Sequence, residues 1–215
     1  VVLKYLKDEN IISLIHQIED FFNLDRNFIS SMYDSNLLGN FNNIEYIDTE
    51  NVNSKEMINT ISNSNENDFY LNTTNQIYKE ILKTNKFFIH IHPGFLPNVK
   101  GADGSLHSID KHNHLGVSSF IIEKKIDEGK IIMREKLPLP KLNFLNMKDY
   151  KVNELYRIWF AFFDPLLRVY HLKNLYSQKK IISHNDIKKY TEEESIYYSF
   201  MEKSKIIRTL NKVIN

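Results

Sequence analysis

His90 and His92 alternate within the apolar run FIHIH, and Pro93-Gly94 interrupts that run immediately afterwards. On a strand, residues two apart project to the same face, so both imidazoles point one way. A carboxylate, Asp127, follows in the turn Ile126-Asp127-Glu128-Gly129. Two chemistries suit such a set. Paired imidazoles form half of a site for zinc or another borderline metal, although no third ligand is fixed by spacing. A histidine at a sheet edge beside a carboxylate instead suits proton transfer near neutral pH. Asp127 reads equally well as a turn former with Gly129. His112 and His114, on either side of Asn113, read as exposed loop residues without a chemical role.

The elements around these residues alternate in type. Val1 to Leu6 reads as a strand, followed by a helix through Ile11, Leu14, Ile15, Ile18, Phe21 and Phe22. Ile44 to Ile47 reads as a short strand, Ser54 to Ile61 as a serine-capped helix, Asp68 to Leu71 as a strand and Gln76 to Lys83 as a helix. Phe87 to Ile91, Val117 to Ile122 and Lys130 to Glu135 read as strands, with Asp127 in the turn between the last two. The alternation predicts an α/β fold with a mostly parallel central sheet, flanked by helices, whose ligands bind at the C-terminal ends of the strands.

The remainder is helical. Leu155, Ile158, Trp159 and Phe162 share a face, Asp164-Pro165 reads as the start of a second helix, and Leu166, Val169, Leu172 and Leu175 continue its stripe. Thr191 with Glu194 has the form of a capping box opening a final helix. The expected division is 1–148, the α/β unit, and 149–215, a helical C-terminal extension packed on it. The apolar tail suits a homodimer surface as well as an intramolecular stripe.

Composition narrows the partners. The 215 residues carry 28 basic and 27 acidic side chains, a net charge of +1, which supplies no global field for nucleic acid or anionic lipid. The absence of cysteine excludes disulfides and thiolate chemistry. No apolar run has the length of a membrane span, so a soluble, cytoplasmic protein is expected. A start at Val1 and not Met leaves room for native residues before it.

The stretch HIHPGFLPNVKGADGSLHSI, with HLGVSSFIIEKKIDEGKII after it, resembles the core of the folate-dependent formyltransferases. In that family a strand ends in Asn-x-His-Pro-(Gly/Ser)-x-Leu-Pro, a loop reaches Gly-Ala, and a later hairpin carries Asp in a (Leu/Ile)-Asp-x-Gly turn. Here the pattern runs through His92, Pro93, Gly94, Leu96, Pro97, Gly101, Ala102, Gly116, Val117, Ile126, Asp127 and Gly129. The similarity covers about Asp68 to Met133, and His90 departs from it by replacing the family's asparagine.

The resemblance implies a Rossmann-like formyltransferase fold and an N-formyltransferase using 10-formyltetrahydrofolate as donor co-substrate. His92, Asp127 and His90 would be catalytic, and no metal would be needed. Thr74, Asn75, Gln76, Ile77 and Ile126 would hold the donor. Gly94, Phe95, Leu96, Lys100 and Gly101 would shape the acceptor side, with Lys100 available to an anionic group. The tail is too short for the extra domain of the tRNA-modifying branch, which favours a small-molecule acceptor, a nucleotide-linked amino sugar, over nucleic acid. A glycinamide ribonucleotide-type acceptor, and a folate-binding relative with lost or hydrolytic activity, are the alternatives.

Overall fold

A computed structural model describes residues 2–32, 44–64, 69–178 and 194–215. Its main sheet contains β1 (Phe69–Leu71), β2 (Phe87–His92), β4 (Leu115–Ile121) and β5 (Ile131–Leu137), in that spatial order. A second, two-stranded sheet pairs β3 (Lys100–Gly101) with β6 (Tyr197–Tyr198). The helices are α1 (Glu9–Phe21), α2 (Phe28–Met32), α3 (Lys55–Asn63), α4 (Gly104–His107), α5 (Val152–Ile158), α6 (Asp164–Ser177) and α7 (Lys203–Leu210). No helix among the described residues is long and apolar enough to cross a membrane.

The α/β architecture with a central sheet between helices is present. Parallel pairing occurs at β1 with β2, whereas β2 with β4 and β4 with β5 are antiparallel, so the described sheet is mixed. The short connection through Asp127 permits only an antiparallel return from β4 to β5. Every residue of β4 is buried, as befits a strand covered on both faces. Ile91 on one face joins the large core of α1, α5, α6 and α7, built around Phe22, Phe162, Phe163 and Leu166. That core draws on both 1–148 and 149–215. Phe88 packs on the other face with Val52, Tyr78 and Ile81, and Phe120 does so with Leu96 and Ile131.

Several elements depart from the expected ones for local reasons. Residues 2–7 form a 3-10 helix, not a strand, leading directly into α1, whose first backbone N–H groups are capped by Asp8. Ile44 to Ile47 is unpaired, with Tyr46 fully on the surface. Of Gln76 to Lys83 only Glu80–Lys83 is helical, a 3-10 turn, because the Gln76 side chain bonds Val52 N and Glu50 O while Asn53 caps Lys79 N. Asp68 and Thr191 lie outside the described residues, and the final helix begins at Lys203 after Glu202.

Asp164-Pro165 does not start a new helix. A π-helical turn, Trp159–Phe163, joins α5 to α6 without interruption, and Asp164 N–H donates back to Trp159 O. Proline lacks an N–H and crowds the carbonyl four residues earlier, and the wider turn relieves both demands. The added residue rotates the buried stripe to Leu166, Leu167, His171 and Leu175, leaving Val169 and Leu172 half-exposed. Asp164 itself is buried, accepts from Ser105 Oγ at 2.5 Å, and is pushed by burial up to about 6.

Candidate active site

His90 and His92 close β2 on the Phe88 face, opposite Phe120 and Ser118 of β4. The chain then turns sharply, held by Ser118, whose hydroxyl donates to Gly94 O at 2.8 Å and accepts from Leu96 N at 3.0 Å. At Gly94 a Cβ would stand 2.5 Å from His92 Nε2, so only glycine lets the turn fold over the imidazole.

His92 is 3% exposed, with Nε2 2.9 Å from Val99 O. A carbonyl only accepts, so the ring proton is on Nε2 and the Nδ1 lone pair faces Asp127 Oδ2 at 3.9 Å. Burial lowers the His92 pKa; Asp127 and the Val99 carbonyl act in the opposite direction, and Arg168 adds to the lowering. His92 Nδ1 is therefore a neutral proton acceptor standing beside a carboxylate.

Asp127 sits in the left-handed backbone region at φ 54° and accepts Gly101 N–H on Oδ2 at 2.7 Å. Gly101 has φ 90°, and a Cβ there would lie 2.1 Å from Tyr198 O. Pairing of β3 with β6 thus needs glycine at the position that anchors the carboxylate.

His90 packs edge-on against Phe120 at 5.6 Å, and its Nδ1 is 3.2 Å from Asn72 Nδ2. Burial, reinforced by the charges of Arg168 and His92 and opposed by Asp127, takes its pKa down to about 4. It is neutral at pH 7. Arg168 reaches over the strand from α6 to donate to Ile91 O.

His90 and Asp127 line one cavity of about 240 Å³ with Thr74, Asn75, Gln76, Ile77 and Ile126, the residues expected to hold the donor. Asn72, Tyr78, Phe120 and Ile122 complete its inner wall. Ile77 and Ile126, 57% and 52% exposed, give it apolar rims.

The acceptor-side residues are arranged less uniformly. Leu96 is buried in the small core with Phe120 and Ile131. Phe95 lies under two cations, with Arg134 Cζ 4.6 Å and Lys136 Nζ 4.4 Å from its centroid. Lys100 is nearly buried and its Nζ pairs with Glu128 at 3.2 Å, which takes up the charge expected for an anionic group. His112 and His114 are half-buried and stacked on each other at 5.7 Å, not exposed in a loop. Among the described residues no three His, Asp or Glu side chains gather to hold a metal ion. Asn72 and Val99 escaped the sequence reading because each acts through a neighbour across the fold; the only hint was the position of Asn72 just ahead of Thr74.

The fold and site define an α/β protein with a histidine-aspartate centre beside a cavity at one end of a mixed sheet. No protein-family model and no curated protein matches the chain. Solved structures to which it is similar include formyltransferases and HypX from Aquifex aeolicus. A sugar N-formyltransferase from Shewanella is 23% identical, over 69% of this chain and 55% of that one, with a TM-score of 0.44. The methionyl-tRNA formyltransferase from Clostridium thermocellum is 16% identical, over 72% and 59%, with a TM-score of 0.46. A sugar 3-N-formyltransferase solved with dTDP and 5-N-formyltetrahydrofolate is 23% identical, over 61% and 43%, with a TM-score of 0.39. The chain spans about half the length of these structures.

Proposed function

We propose that this chain transfers a formyl group from 10-formyltetrahydrofolate to an amine, the amino group of a nucleotide-linked amino sugar. The observation that carries the reading is the convergence of His90 and Asp127 on the cavity lined by Thr74 to Ile77 and Ile126, with His92 3.9 Å from Asp127. The two isoleucine rims and Phe120 suit a flat bicyclic head, and Asn75 offers a polar edge. A cavity of about 240 Å³ takes such a head and leaves the rest of a folate outside. The unit is 1–148, with 149–215 supplying helices to the same core.

In the balanced reaction the amine nitrogen bonds to the formyl carbon, the carbon–N10 bond breaks, and the proton lost from the amine ends on N10. His90, neutral and on the cavity wall, offers an N–H to the oxygen on which negative charge develops. The His92 Nδ1 lone pair and the Asp127 carboxylate, both proton acceptors, jointly hold the departing proton. Gly101 N–H keeps Asp127 aimed. One donor beside two proton acceptors suits attack by an amine that must lose a proton; the sugar is taken from the nucleotide-sugar branch of the resembled family.

The test is formation of N-formyl product from 10-formyltetrahydrofolate and a panel of nucleotide amino sugars and glycinamide ribonucleotide. Formyl amino sugar supports the proposal. Folate binding with no formylated amine contradicts it.

A further inference from the structure

The replacement of the family's asparagine by His90 poses a tautomer problem. An imidazole offers its N–H to the cavity only if the proton is on the cavity-facing nitrogen. Asn72 lies next to β2 at the end of β1, and its backbone N–H donates to Ile89 O at 2.7 Å. Its Oδ1 accepts from Thr74 N at 2.8 Å, Thr74 Oγ1 at 3.0 Å and Tyr78 Oη at 3.1 Å. The backbone N–H of Thr74 only donates, so the carboxamide cannot be turned over without setting donor against donor. The amide NH₂ therefore faces His90 Nδ1 at 3.2 Å.

We infer that Asn72 is a positioning residue that holds His90 as the Nε2–H tautomer, so that the ring presents a donor to the cavity. The inference rests on the transfer reading for its consequence but not for its geometry. His90 Nδ1 must accept from the Asn72 amide, and a neutral ring then carries its single proton on Nε2. No protein hydrogen bond engages His90 Nε2 among the described residues, while His92 Nε2 is committed to Val99 O. The two rings thus carry the same tautomer with opposite uses, His90 offering a donor and His92 the Nδ1 lone pair. His90, held by Asn72, thus offers from Nε2 the N–H that the asparagine of the resembled family would supply at the same position.

The experiment is long-range ¹⁵N–¹H correlation of the imidazole nitrogens at pH 7, in the native protein and in Asn72→Asp, with kcat and KM measured on the same samples. The native spectrum should show His90 as Nε2–H. In Asn72→Asp the carboxylate only accepts, so the proton should move to Nδ1, and kcat should fall about 10- to 100-fold with KM for the amine nearly unchanged. Because Asn72 also ties down Thr74 and Tyr78, a second comparison guards against misfolding: in a His90→Asn background, whose amide has no tautomer, a further Asn72→Ala change should lower kcat by a clearly smaller factor than Asn72→Ala does in the native background. A native Nδ1–H spectrum, an Nε2–H spectrum surviving in Asn72→Asp, or the same Asn72→Ala effect on both backgrounds would overturn the inference. The spectra are read without turnover, so absence of transfer in the native protein counts against the proposed reaction and leaves the tautomer assignment to stand or fall separately.

Discussion

Gly101 N–H donates to Asp127 Oδ2 at 2.7 Å, and the same glycine, at φ 90°, has no Cβ to block β6, which pairs alongside it. The anchor of the carboxylate and the docking of the C-terminal strand are therefore one structural event. Replacing Gly101 by Ala puts a Cβ against Tyr198 O in a strained backbone conformation. Gly101→Ala should lose about 1–3 kcal/mol of stability and lower transfer activity at temperatures where it is still folded. Denaturant melts alongside kcat check this.

The strand that meets Gly101 is held from the far side. Asp103 accepts Met201 N at 2.7 Å and Tyr156 Oη at 2.8 Å, and His107 Nε2 donates to Ser199 O at 2.9 Å while stacking on Tyr198 at 4.4 Å. His107→Ala should loosen β6 and speed amide hydrogen exchange at Ala102, whose N–H donates to Tyr198 O. A change about tenfold in exchange rate corresponds to 1.4 kcal/mol of lost local protection.

His92 and Asp127 are expected to act as a unit. His92→Ala and Asp127→Ala should each lower kcat by about 10²- to 10⁴-fold, and the double variant should fall little further than the worse single one. Independent multiplication of the two losses contradicts a shared proton site. Kinetics of the four proteins decide it.

The secondary structure read from sequence holds where period and cap agree. Ser54 caps α3 through Met57 N, and β2, β4 and β5 appear within a residue or two of their apolar runs. It fails where side chains compete for the backbone, as Gln76 and Asn53 do, or where a single residue is inserted into a helix, as in the π turn before Pro165. The site was half visible. His90, His92 and Asp127 carry their chemistry in their residue types, whereas Asn72 reads as an ordinary turn residue until β1 lies beside β2. Lys100 looked free because Glu128, its partner, is distant in sequence.

Acid should weaken the fold through His90. The folded ring titrates at about 4 against an ordinary value of 6.5, so between those values the unfolded chain binds a proton that the folded one rejects. Its contribution is complete above the unfolded value and declines as pH falls through that window, by at most about 1.4 kcal/mol per pH unit. Asp164, raised to about 6, contributes with the opposite sign and is common to native and variant proteins. In denaturation series at pH 7, 6 and 5, His90→Gln should therefore gain stability relative to the native protein as pH falls.

The most direct measurement is mass-resolved product analysis after incubation with 10-formyltetrahydrofolate and nucleotide-linked amino sugars, for the native protein beside His92→Ala and Asp127→Ala. The account predicts an amino sugar heavier by one formyl group in the native reaction and its near absence in both variants. Formate released with no formylated amine, or product formed equally well by all three proteins, contradicts it.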